Sequence, residues 1–188
     1  MPRRIALIPV LLGLLALVGL AAVPAQAKRN LWRQVPTWNI AHQGGEDEFP
    51  SNTLYAFRRA LAAGANMLEL DIGVTKDGQV VVMHDTTVDR TTNGRGTIAS
   101  KTLSQMQRLD GAYWFTPTGS DHYRHGRSAS AYRFRGVATG RKPPPRGFSA
   151  SDFRVPTLEA VLKAFPHTPI NVEFKGRTKQ EAVSEYLT

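Results

Sequence analysis

The chain has 188 residues, a formal net charge of +9 and no cysteine. The missing cysteine excludes a disulfide framework and any zinc site built on thiolates, so a bound metal must be held by oxygen or imidazole. The basic balance favours anionic partners, such as phosphate esters, acidic polymers or a membrane surface, without choosing among them.

Residues 1–27 read as an export signal: Arg3 and Arg4 supply the positive start, Ile5 to Val23 the apolar stretch and Ala25-Gln26-Ala27 the cleavage site. An uncleaved anchor is the alternative, but Pro9 interrupts the stretch and the cleavage triplet follows it directly. The protein is therefore expected to be exported: secreted, periplasmic or at the cell envelope. Cleavage lowers the formal charge to +7 and leaves residues 28–188 as one domain, long enough for a sizeable core.

A first strand is predicted from Trp38 to Ala41, ending on His42. After a polar loop, Ser51 or Asn52 caps a helix with Leu54, Phe57 and Leu61 on one face, and Gly64 stops it. A second strand, Met67 to Thr75, places Glu69, Asp71 and Gly73 on one face and Leu68, Leu70, Ile72 and Val74 on the other. Asp77-Gly78 then signals a two-residue turn into Val80 to His84, giving an antiparallel hairpin over residues 67–84. That register sets Asp71 opposite His84 on one face.

Farther on, Thr102 and Gln105 form a capping-box pattern. Residues 111–155 have no helical or strand period; they combine aromatic residues with arginines and read as a long insertion, either membrane-binding or, on the balance of its aperiodic aromatics, a solvated and partly disordered loop. Thr157 caps a helix carrying Leu158, Val161 and Leu162. Ile170 to Lys175 forms another strand, and a last helix starts near Thr178. There is no internal repeat.

Glu69 and Asp71, two apart on one strand face, present hard oxygen ligands to a single point, and Glu173 adds a third from another strand. Such a site suits Ca2+ or Mg2+, and also Mn2+. A solvated sheet face fits Glu-x-Asp as well; the apolar runs around it weigh toward burial, where unpaired carboxylates need a cation or a donor. His42 and His84 can do acid and base work, although each alone also fits a structural hydrogen bond. Lys175 shares a face with Glu173 and either faces an anionic substrate or pairs with that glutamate. His122, His125 and His167 are assigned structural or surface roles.

Taken together, Ala41-His42-Gln43-Gly44-Gly45, Pro50-Ser51-Asn52-Thr53-Leu54, Leu68-Glu69-Leu70-Asp71, Thr75-Lys76-Asp77-Gly78, Val82-Met83-His84-Asp85, Asp89-Arg90-Thr91-Thr92-Asn93-Gly94, Val155-Pro156-Thr157-Leu158 and Glu173-Phe174-Lys175 resemble the glycerophosphodiester phosphodiesterase family. The resemblance covers roughly residues 38–110 and 155–176.

It implies an α/β fold, a TIM-type (β/α) barrel of which only the N-terminal portion is present, since such barrels take about 250 residues. It also implies metal-dependent hydrolysis of glycerophosphodiesters to glycerol 3-phosphate and an alcohol. Carried over by position, His42 and His84 are the acid and base pair, Glu69, Asp71 and Glu173 the metal ligands, and Lys175 a phosphate contact. A small-molecule substrate and no nucleic acid is the expected partner.

Two departures bear on substrate preference. Gln43 stands where the family usually has arginine, leaving an uncharged donor for the substrate, and Ser51 stands where it usually has glutamate. The alternative readings are a related phospholipase that docks on lipid through residues 111–155, and an inactive, truncated phosphate-binding chain.

Overall fold

In the second predicted strand, every second residue from Leu68 to Ile72 is apolar, and this alternation organises the domain. The structure, a computed structural model, describes residues 37–117 and 122–174. The export signal, the lead containing Trp32, Lys175 and the helix expected from Thr178 lie outside the described residues.

The regular elements are β1 (Ile40–Ala41), α1 (Leu54–Ala62), β2 (Met67–Val74), β3 (Val80–Val82), α2 (Leu103–Met106), α3 (Leu158–Ala164) and β4 (Ile170–Phe174). Strands β1 and β4 both run parallel to β2, and β3 runs antiparallel. Leu68 pairs with both Ala41 and Ile170, and Ile72 with both Val82 and Phe174. A strand has two edges, so β4 takes one edge of β2, and β1 and β3 share the other. The parallel core is therefore β1-β2-β4, and the hairpin is an excursion from the far end of β2.

Leu68, Leu70 and Ile72 are fully buried beneath Phe57 and Ala60 of α1 and Val161 of α3. Helices on the outer face and acids on the inner face are the arrangement of a (β/α) barrel wall.

The cap of helix α1 is Thr53, one residue past Asn52 and two past Ser51: its Oγ1 accepts the Ala56 N–H at 3.1 Å. The same hydroxyl donates to Pro50 O at 2.7 Å, closing the entry turn. The predicted stop holds, with Gly64 at φ 102°. The Ala65 N–H donates to Ala60 O and the Gly64 N–H to Leu61 O, which satisfies the last carbonyls in a Schellman arrangement. The caps predicted at Thr102 and Thr157 are present, the first as a complete capping box with Gln105.

The hairpin forms, but its register differs from the expected one by a single residue. Ile72 pairs with Val82, Gly73 with Val81 and Val74 with Val80. The cause is the turn. Gly78, at φ 74°, donates its N–H to Thr75 O, and the Thr75 N–H donates to Gln79 O. Three residues rather than two therefore lie between the last pair, the geometry of a type I turn followed by a left-handed bulge residue. Met83, not His84, falls beside Asp71, its N–H donating to Asp71 O at 2.8 Å. The ladder ends at Val82, before His84.

The segment read as a solvated, partly disordered insertion is a second core. Phe115, Tyr123, Phe134 and Phe153 are buried together with Tyr55 of α1. Tyr55 stacks on Phe153 at 4.5 Å and meets Phe148 edge-on at 4.6 Å. Arg135 lies over Tyr132 at 3.6 Å, Tyr113 at 4.3 Å and Trp114 at 4.5 Å. Asp110 ties the start of the segment to its middle, accepting the Ala112 N–H at 3.1 Å and the Gly136 N–H at 2.6 Å. The expectation failed because these rings pack across loops, where no sequence period reports burial. Helix α1 thus separates two cores, with Phe57 facing the sheet and Tyr55 facing the aromatic cluster. Among the described residues, no helix is long and apolar enough to cross a membrane.

Candidate active site

Strand alternation puts Glu69 and Asp71 on the inner face of β2, and the parallel register sets Glu173 of β4 beside Asp71. One carboxylate oxygen from each of the three lies within 4.8 Å of the others. The predicted ligand set therefore converges. Glu69 and Asp71 are buried, whereas Glu173 is exposed.

The chain leaving β1 wraps directly onto this cluster. A tight turn at His42–Gly44 carries Gln43 at φ 48°, followed by Gly44 and Gly45 at φ 80° and 85°. Glycine is required at 44: a Cβ there would lie 2.9 Å from both Ala56 Cβ and Phe57 Cδ1. The turn aims the Gln43 N–H at Glu69 Oε2, 2.7 Å away. The Gln43 side chain is itself buried, and its Oε1 has no hydrogen-bond partner among the described residues.

His42 sits at the rim, 58% exposed in its side chain, with Nδ1 2.8 Å from Glu46 Oε1 and Nε2 4.0 Å from Glu69 Oε2. Burial pushes the Glu69 carboxyl above its usual range; the Gln43 amide pulls it down, Asp71 pushes it up, His42 lowers it and Glu173 raises it again. Three carboxylates at this spacing concentrate negative charge, and a cation would relieve it. Glu69 Oε1 is buried with no hydrogen-bond partner among the described residues, as expected of an oxygen reserved for a metal. The donor set is all hard oxygen and fits a divalent cation of the Ca2+ or Mg2+ kind.

His84 reaches this region by leaving the β3 ladder. It lines a small cavity with Ser51, Asn52, Thr53 and Thr91. Its Nδ1 is 2.7 Å from Asp85 Oδ1, which Arg90 holds in turn through Nε to Oδ2 at 2.7 Å and Nη2 to Oδ1 at 3.0 Å. Burial pushes the Asp85 carboxyl up, but hydrogen bonds from Arg90 and His84, with their charges, outweigh it and hold the group below its ordinary value. Such a bidentate pair fixes an imidazole's tautomer, with Nδ1 as donor and Nε2 as the proton-exchanging atom.

Sequence reasoning gave no part in the site to four residues that shape it. Asn52, at φ 57° and buried, donates Nδ2–H to Asp71 Oδ2 at 3.1 Å. Asp85 and Arg90 form the clamp on His84, and Tyr123 meets Ser51. Asn52, Asp85 and Arg90 lie inside the motifs that carry the resemblance, so their signal was present; Tyr123 lies in the aperiodic segment and had none. Of the histidines assigned other roles, His122 pairs with Asp47 at 2.8 Å and His125 stacks on Trp114 at 4.0 Å.

A parallel α/β wall with helices outside, and carboxylates and imidazoles gathered at one end of its strands, defines a barrel-type fold with a hydrolase-like acidic centre. The glycerophosphoryl diester phosphodiesterase family model matches residues 42–187, and the chain belongs to that family. It is 33% identical over 186 residues to a glycerophosphodiester phosphodiesterase of Bacillus subtilis, a match covering 98% of this chain and 55% of the relative. Among solved structures it resembles the glycerophosphoryl diester phosphodiesterase domain of a Mycobacterium tuberculosis protein, with 26% identity and a TM-score of 0.57, covering 79% of this chain and 46% of that one. An Oleispira antarctica phosphodiesterase, solved with sn-glycerol-3-phosphate, shares the fold at 24% identity and a TM-score of 0.56, covering 83% of this chain and 53% of that one. The chain spans about half the length of the curated relatives it matches.

Proposed function

We propose that the protein hydrolyses glycerophosphodiesters to glycerol 3-phosphate and an alcohol, with Glu69, Asp71 and Glu173 holding a divalent cation, Ca2+ or Mg2+, and His42 and His84 exchanging protons. The observation that carries this reading is the convergence of the three carboxylates within 4.8 Å, with a buried Glu69 oxygen lacking a hydrogen bond. Family membership supports the reaction class.

A cation bound there supplies positive charge that polarises a phosphoryl oxygen. The chain's own groups do the remaining work. Gln43 and Asn52 orient Glu69 and Asp71 through the hydrogen bonds described above. One imidazole takes a proton at Nε2 from the attacking oxygen, that of water or of the substrate's own neighbouring hydroxyl, and the other returns one to the departing alkoxide; in the second case water then opens the cyclic ester to glycerol 3-phosphate. The Gln43 side-chain amide donates to the phosphate, and Lys175, outside the described residues, adds fixed positive charge.

Export through residues 1–27 belongs to the same proposal and places the substrate outside the cytoplasm. Peripheral membrane contact through residues 111–155 rests on its exposed cations, Arg124, Arg127, Arg133, Arg141 and Arg146, because Phe115, Phe134 and Phe153 face inward. The test is release of glycerol 3-phosphate from glycerophosphocholine, with intact phospholipid as comparison, with and without chelator. The expected result is chelator-sensitive release that Glu69→Ala and His42→Ala abolish; release indifferent to both chelator and His42 contradicts it.

A further inference from the structure

Tyr123 brings the aromatic segment to the site. Tyr123 Oη accepts the Ser51 N–H at 2.6 Å and shares a second hydrogen bond with Ser51 Oγ at 2.8 Å. Ser51 belongs to the entry turn of α1, and the next residue is Asn52, whose side chain donates to Asp71. Asn52 stands at φ 57°, a conformation that asparagine tolerates and that its surroundings must hold in place. The Asn52 N–H donates to Gln43 O, so the same turn also abuts the loop whose amide binds Glu69.

The Tyr123 ring has a second contact. The Arg90 guanidinium lies over it at 5.1 Å, and Arg90 clamps Asp85, which bonds His84. One buried phenol thus joins the arm that orients a metal ligand to the arm that orients an imidazole. The short Ser51 side chain leaves room for a buried phenol to reach the main chain at this point.

We infer that Tyr123 is a positioning residue: the aromatic segment uses it to lock the Pro50–Thr53 turn and so to hold Asn52 against Asp71 in the geometry a divalent cation requires. The inference rests on the metal-dependent reading and extends it to a residue outside the family motifs. Groups that orient metal ligands from behind typically tune affinity 10- to 100-fold. Tyr123→Phe keeps the ring in the core and over Arg90 but removes both hydrogen bonds to Ser51.

The test is Mn2+ binding to the full chain by titration calorimetry, alongside thermal unfolding and kinetics over a range of Mn2+. We expect Tyr123→Phe to bind Mn2+ about tenfold more weakly, and Ser51→Ala, which keeps the amide contact, about threefold more weakly. Excess Mn2+ should restore kcat in both, because the imidazole arm is intact. A merely structural tyrosine would change the unfolding temperature and leave Mn2+ affinity alone. Wild-type affinity in folded Tyr123→Phe overturns this inference only, as does wild-type affinity in Ser51→Ala should the first variant fail to fold. A wild-type chain that binds no Mn2+ overturns the metal reading, and this inference with it.

Discussion

The acidic face of β2 and the aromatic core of residues 111–155 are built by different rules. At the acidic face, the two-residue period of a strand and the register of a parallel pair place Glu69, Asp71 and Glu173 together, so position follows from backbone regularity. In the aromatic core, Phe115, Phe134 and Phe153 pack between loops and short turns, and position follows from side-chain shape alone. The carboxylates thus sit where geometry is most regular, while His42, Gln43 and His84 sit on turns beside them, and the aromatic region supplies support through Tyr123.

The largest effect should come from the acidic face. Glu69→Ala removes the buried oxygen proposed to bind the cation, and we expect a loss of activity of about a thousandfold or more with little change in unfolding temperature, since relief of carboxylate crowding offsets the lost hydrogen bond from Gln43. His42→Ala should cost about 10²- to 10⁴-fold in kcat, also without unfolding the chain. Variants that lose activity only in proportion to lost folded protein would erase the contrast between the regions.

The aromatic core should answer in stability first. Phe153 is fully buried against Tyr55 and Phe134, and Phe153→Ala should destabilise the domain by about 3–5 kcal/mol, measured by denaturant unfolding. Gly44→Ala lies where the regions meet: a left-handed backbone and contacts at 2.9 Å predict about 1–3 kcal/mol of destabilisation together with weaker metal binding.

The smallest effect concerns pH. The Asp85 carboxyl is held below its ordinary value of 3.8, so the stability it contributes is fully present above that value and is lost as pH falls through the lowered folded value. Asp85→Asn should therefore be less stable than wild type near neutrality, and the gap should close in acid. A gap of constant size from about pH 7 to about pH 2 would show that the clamp on His84 is not electrostatic.

The sequence disclosed these two regions unequally. The strands, the Gly64 stop, the caps at Thr102 and Thr157 and the shared face of Glu69 and Asp71 were all legible, because each rests on a period or a local hydrogen bond. The hairpin register was missed by one residue: Asp77-Gly78 also suits a three-residue loop, and only the Thr75 and Gln79 bonds decide between the two. His84 nevertheless lies beside Asn52, through the bend after β3 rather than by pairing with Asp71. The second core was illegible because nothing in the order of Phe115, Tyr123, Phe134 and Phe153 encodes that they meet Tyr55.

The most direct test of the central claim is anomalous diffraction from crystals of the chain soaked with Mn2+. The account predicts a single strong peak enclosed by the carboxylates of Glu69, Asp71 and Glu173, lost in Glu69→Ala. Strong Mn2+ sites elsewhere, with none among these three side chains, would contradict it.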